Sequence, residues 1–109
     1  MPDTVPTQFD NVSVVVRANV YFGGKVVSHT IHLPDGVKKT LGVIYEGSFH
    51  FTTNAPERME IVAGNTRVKL VGSADFRPYA AGTYFDVPAS SAFDIAVDSG
   101  IAEYICTFK

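Results

Sequence analysis

Short apolar runs that alternate with a two-residue period, interrupted every roughly eight to twelve residues by turn-forming glycine, proline or asparagine, dominate this chain. RVKLVG (Arg67–Gly72) puts Val68 and Leu70 on one side and Arg67 and Lys69 on the other. FDIAVD (Phe93–Asp98) likewise puts Phe93, Ile95 and Val97 on one face. Further strands are predicted in Asn11–Phe22 (interrupted near Ala18-Asn19), Lys25–Leu33, Leu41–Tyr45, Met59–Gly64, Gly82–Pro88 and Ala102–Phe108. A separate strand ending at Phe51 is expected after a turn at Glu46-Gly47. Gly23-Gly24, Pro34-Asp35-Gly36 and Gly64-Asn65 are the other turns. No window holds a helical apolar period, so the pattern predicts an all-β sandwich or closed barrel.

The length, 109 residues of which 46% are hydrophobic, fits one domain with a real core. Its boundaries are predicted at 12–109, after a flexible polar tail over residues 1–11. A net charge of -2 argues against a nucleic-acid partner, which calls for a basic face. It leaves room for a local cationic pocket that takes phosphate. Cys106 is the only cysteine, which rules out an internal disulfide and fits a buried small apolar group. The opening residues lack a basic segment followed by an apolar run, and no stretch nears the roughly 20 apolar residues of a membrane span. The expected setting is the cytoplasm, with no membrane contact.

Two segments carry the chemistry. GSFHFTTNAPERMEIVAG (Gly47–Gly64) and AGTYFDVPASSAF (Ala81–Phe93) keep the turn spacing of a small β-barrel metal site. Most metal ligands of that pattern are replaced. Its histidine positions hold His50, Thr52 and Phe93, its glutamate position holds Glu57, and Ser90 follows Pro88 where a glycine stands. One histidine with threonine and phenylalanine makes a poor metal site. His29 and His32 point to opposite faces of a strand and form no ligand pair.

NVYFGGKVVS (Asn19–Ser28), KKTLGVIYEGSFHF (Lys38–Phe51), NAPERMEIVAG (Asn54–Gly64), AGTYFDVPASSAF (Ala81–Phe93) and YICTF (Tyr104–Phe108) together resemble, in order and spacing, the pyrimidine/purine nucleoside phosphorylase family. The resemblance runs from about Asn19 to the C-terminus. It implies a single-domain cupin, a double-stranded β-helix or jelly-roll barrel, that pairs into homodimers. It also implies phosphorolysis of purine and pyrimidine nucleosides to free base and α-D-ribose 1-phosphate. Phosphate would then be a co-substrate, with no cofactor and no metal.

Such a reaction needs a phosphate holder, stabilisation of an oxocarbenium-like transition state, and help for the departing base. Lys25, Lys38 and Lys39 flank turns and are phosphate candidates, as is Ser90; each also reads as an ordinary solvated turn residue. Glu57 shares a face with Met59 and Ile61, so it is expected in an apolar interior with a raised pKa, as acid or ribose ligand. Tyr21, His50, Phe51, Phe85 and Phe93 are the candidate nucleoside contacts, since stacking tolerates every base. Two strand phases remain open here. Either His50 and Thr52 face inward, with Phe49 and Phe51 outward under a dimer partner, or a bulge near Pro56 returns the phenylalanines to the core. A non-catalytic small-molecule-binding cupin and a metal-dependent oxygenase or isomerase are the competing functions.

Overall fold

The computed structural model describes residues 5–109; Met1–Thr4, part of the predicted tail, lie outside the described residues. Among the described residues nine strands follow in order: β1 (Ser13–Val14), β2 (Asn19–Tyr21), β3 (Val26–His32), β4 (Lys38–Thr52), β5 (Glu57–Ala63), β6 (Asn65–Leu70), β7 (Arg77–Ala80), β8 (Tyr84–Val87) and β9 (Ala92–Phe108). Among the described residues the only helical segment is a single tight turn at Phe22–Gly24.

Two long antiparallel strands organise the molecule. The first half of β4 pairs with the second half of β9, from Lys39↔Thr107 to Tyr45↔Ile101. The second half of β4 pairs with the first half of β9, from Gly47↔Val97 to Thr52↔Ala92. One half-pair lies within a layer completed by β1, β2 and β3 on one side and β5 and β8 on the other. The other continues into β6 and β7. Glu46-Gly47 and Ser99-Gly100 therefore do not end strands as turns, contrary to the expectation for Glu46-Gly47. They are bends inside continuous strands. A register shift falls between Tyr45 and Gly47, Gly47 and Gly100 have φ of 145° and 69°, and the Gly100 N–H donates to Glu46 Oε1 at 2.9 Å, which ties the two bends together.

This bulge settles the strand phase. Before it, Thr40, Gly42 and Ile44 point inward; after it, Phe49 and Phe51 do. The phenylalanines are in the core, as the second expectation held, but the bulge sits ahead of them rather than near Pro56. The alternations of Val68 with Leu70, and of Phe93, Ile95 and Val97, run inward as predicted. The core lies between the layers. Ile44, Ile61 and Ile95 are at its centre, and Ile95→Ala would cost about 2–5 kcal/mol.

The described part of the first eleven residues is laid on the outer face of the barrel. Val5 is buried, and residues Pro6–Phe9 cover a crevice of about 270 Å³ floored by Leu41, Val43, Val62 and Tyr104.

Candidate functional site

A cavity of about 320 Å³ opens between the layers. Strand β5 supplies its carboxylate. Glu57, Met59 and Ile61 share the inward face, with Met59 and Ile61 buried and Glu57 half-buried at the cavity wall. Pairing of β5 with β9 sets Met59 against Cys106, and the Cys106 thiol donates to Glu57 Oε1 at 3.4 Å. Burial raises the Glu57 pKa above the ordinary carboxylate range; the Cys106 hydrogen bond and the charge of Lys38 pull it partly back. Cys106 is itself pushed far up, first by burial and then by the charge and hydrogen bond of Glu57, and it is also hydrogen-bonded to Thr40. The thiol is therefore a neutral donor at physiological pH.

Strands β9, β4 and β3 add a polar floor. Tyr104 lines the cavity, and its phenol, hydrogen-bonded to Ser28, is raised by burial and stays protonated. Asn19 Nδ2 donates to Ser28 Oγ at 3.2 Å and to Thr30 Oγ1 at 3.1 Å, holding that hydroxyl array in place. The Tyr104 ring lies where a Gly42 Cβ would be, since an added Cβ there would stand 2.3 Å from ring atoms. Gly42 thus makes room for the phenol.

Aromatic rings form the remaining wall. Phe51 and Phe93 stack at 5.6 Å with 22° between planes. Tyr21 and Phe22 meet Phe51 edge-on, at 5.9 and 5.4 Å. His50 reaches the cavity from its exposed mouth, and its Nδ1 lies 2.8 Å from Asp94 Oδ1 on the paired strand.

Six of the residues singled out from sequence come together here: Tyr21, His50, Phe51, Thr52, Glu57 and Phe93. Lys38 stands nearby, its ammonium 4.6 Å from the centre of the Phe108 ring, which lines the cavity, with its charge felt at Glu57. The others do not line it. Phe85 packs behind Phe93 at 5.5 Å and is a core ring, because it alternates with the buried Val87 on β8. Lys39 donates to Thr107 at 2.7 Å and lies over Phe9, on the outward phase of β4. Lys25 closes the β2–β3 hairpin, and Ser90 sits in the turn where its N–H donates to the Asn54 carbonyl. The sequence reading missed Phe22, Ser28, Thr40, Tyr104 and Cys106 as lining residues. Alternation in Tyr104–Phe108 carried a signal for the last two. Thr40 shares its face with Ile44 ahead of the bulge, so alternation carried a signal for it as well. Among the described residues no group of three or more His, Cys, Asp or Glu side chains could hold a metal ion, and no helix is long and apolar enough to cross a membrane.

The sequence pattern of a family described as pyrimidine/purine nucleoside phosphorylase matches residues 16–108. A protein of that name from Burkholderia vietnamiensis (strain G4 / LMG 22486) is 56% identical over 96% of this chain and 98% of its own length. A crystal structure of a protein of unknown function from Acinetobacter sp. ADP1 superposes with a TM-score of 0.90 at 45% identity, covering 94% of this chain and 98% of that one. A cupin superfamily protein from Desulfitobacterium hafniense DCB-2 superposes with a TM-score of 0.62 at 16% identity over 85% of this chain and 83% of that one, a likeness in fold. The architecture is that of a cupin.

Proposed function

The chain belongs to the pyrimidine/purine nucleoside phosphorylase family, and we propose that its cavity splits purine and pyrimidine nucleosides with phosphate, giving free base and α-D-ribose 1-phosphate. The observation that carries the reading is the meeting of a half-buried carboxyl, Glu57, with a wall of phenylalanine and tyrosine rings. The rings offer faces to any base, which supports broad specificity.

In this reading a phosphate oxygen attacks C1′ as the bond from C1′ to the base nitrogen breaks. Glu57, whose burial makes it hold its proton more tightly than an exposed carboxyl, gives that proton to the departing base. Cys106 holds one carboxyl oxygen, leaving the other for the substrate. Ser28, Thr40 and Tyr104 offer hydroxyls to the sugar. Lys38, over the cavity-lining Phe108 ring, supplies the positive charge that phosphate needs. No step calls for a metal, and the donor set supports this, since His50 is engaged by Asp94 and its neighbours in the ligand pattern are Thr52 and Phe93. The homodimer belongs to the same proposal, supported by the exposed Val14, Val16 and Val20 at the β1–β2 margin and by exposed Tyr45 and Ile101. Sedimentation at twice the chain mass is the expected result. A cytoplasmic setting fits the substrates and is likewise proposed.

The test incubates purified protein with uridine, adenosine or guanosine, with and without phosphate, in EDTA. Base release that needs phosphate and survives chelation is expected. No turnover of any nucleoside would overturn the proposal. Loss of turnover on chelation would instead place a metal in the reaction.

A further inference from the structure

Phe22 stands in a backbone conformation that its own side chain opposes. Its φ is 52°, and Gly23 and Gly24 follow at 65° and 97°, so three successive left-handed residues close the β2–β3 hairpin. Glycine fills two of these positions at no steric cost, whereas a bulky residue there is a true outlier. Asn11, at φ 54°, shows how the same chain meets this backbone requirement with a tolerant residue. Packing does not explain the choice of phenylalanine. The ring touches Phe49 at 5.1 Å and Phe51 at 5.4 Å, yet the residue remains 47% exposed, so burial offsets only part of the strain. The residue also lines the cavity, beside Phe51. A strained aromatic residue that packs on two rings and lines a ligand-sized space is what a binding contact looks like.

We propose that Phe22 is a nucleobase-stacking residue, presented to the cavity by its left-handed turn. This rests on the nucleoside reading above and adds to it a specific contact. The turn fixes the ring against Phe49 and Phe51, so that little freedom is lost when a base meets it. The contact reads a π-face rather than hydrogen bonds, so it serves purines and pyrimidines alike, and purines, with the larger face, gain more from it.

The experiment compares wild type with Phe22→Asn and Phe22→Tyr. Asparagine accepts the left-handed backbone while removing the ring; tyrosine keeps the ring. Nucleoside KM, phosphate KM and the urea midpoint are measured for each, with calorimetric binding of adenosine and uridine in the absence of phosphate. Phe22→Asn is expected to weaken nucleosides by roughly 5- to 100-fold, adenosine more than uridine, with phosphate KM within about twofold and an equal or higher urea midpoint. Phe22→Tyr should stay within about threefold of wild type. An unchanged nucleoside KM and affinity in Phe22→Asn would overturn the proposal, as would parallel losses for nucleoside and phosphate with a lowered midpoint, which mark a structural role. If wild type binds nucleosides without turnover, the calorimetric arm decides the stacking role while the phosphorolysis reading fails alone. If it neither binds nor turns over nucleosides, both fall.

Discussion

If Glu57 is the acid of the proposed reaction, it is the residue at which stability and chemistry pull in opposite directions. Burial raises its pKa, so the folded state holds the carboxyl's proton more tightly than the unfolded chain does. The associated stability is fully present below the ordinary value of 4.5 and is lost as pH rises through the higher folded value, so the ionised group burdens the fold near neutrality. Glu57→Gln removes that burden and keeps an oxygen for the Cys106 thiol. Its Tm at pH 7 should exceed wild type by about 1–4 °C, with the gap closing below about pH 4 in a thermal melt series. Its turnover should fall by about 10²–10⁴-fold, the usual weight of a general acid. Lys38→Ala should raise phosphate KM by about tenfold or more and leave nucleoside KM in place, as steady-state kinetics with each substrate varied would show. Glu57 was legible in the sequence because Met59 and Ile61 repeat on its face. Its thiol donor was not, since Cys106 is distant in sequence and arrives only through β5–β9 pairing.

At the scale of elements, one extra residue decides which side chains see the cavity. Without the shift at Tyr45–Gly47, the face carrying Thr40 and Ile44 would continue into Ser48 and His50, and Phe49 and Phe51 would turn to solvent. The sequence displayed both alternations but not the join, because Glu-Gly reads as a hairpin turn. For the same reason β4 and β9 each read as two strands. Strand β7, Arg77–Ala80, gave no signal at all, being short and carrying Pro78 at a sheet margin. The corner between β5 and β6 is as exacting as the bulge. Gly64 has a φ of 82°, and a Cβ there would stand 2.3 Å from the Ile101 carbonyl oxygen. Gly64→Ala should therefore cost about 2–4 kcal/mol, read as a lower urea midpoint with an unchanged slope.

For the whole molecule, strand rhythm and the absence of a helical period were sufficient for the barrel class, and the ordered blocks for the cupin. The packing of the chain's opening residues was not readable, because polar and proline-rich composition says nothing about docking on an outer face. Val5 and Phe9 are used there nonetheless. A chain starting at Asp10 should lose about 1–3 kcal/mol of stability by chemical denaturation, in keeping with the apolar surface uncovered. Tyr104 gives that loss a second meaning. It is shared by the inner cavity and the outer crevice beneath residues Pro6–Phe9, in the layer of sheet where it pairs with Gly42. The partition between them is a single layer of sheet, so the segment outside acts as a gasket for a chamber it never enters, and stripping it away would let water press on the back of a strand pair whose front faces the cavity.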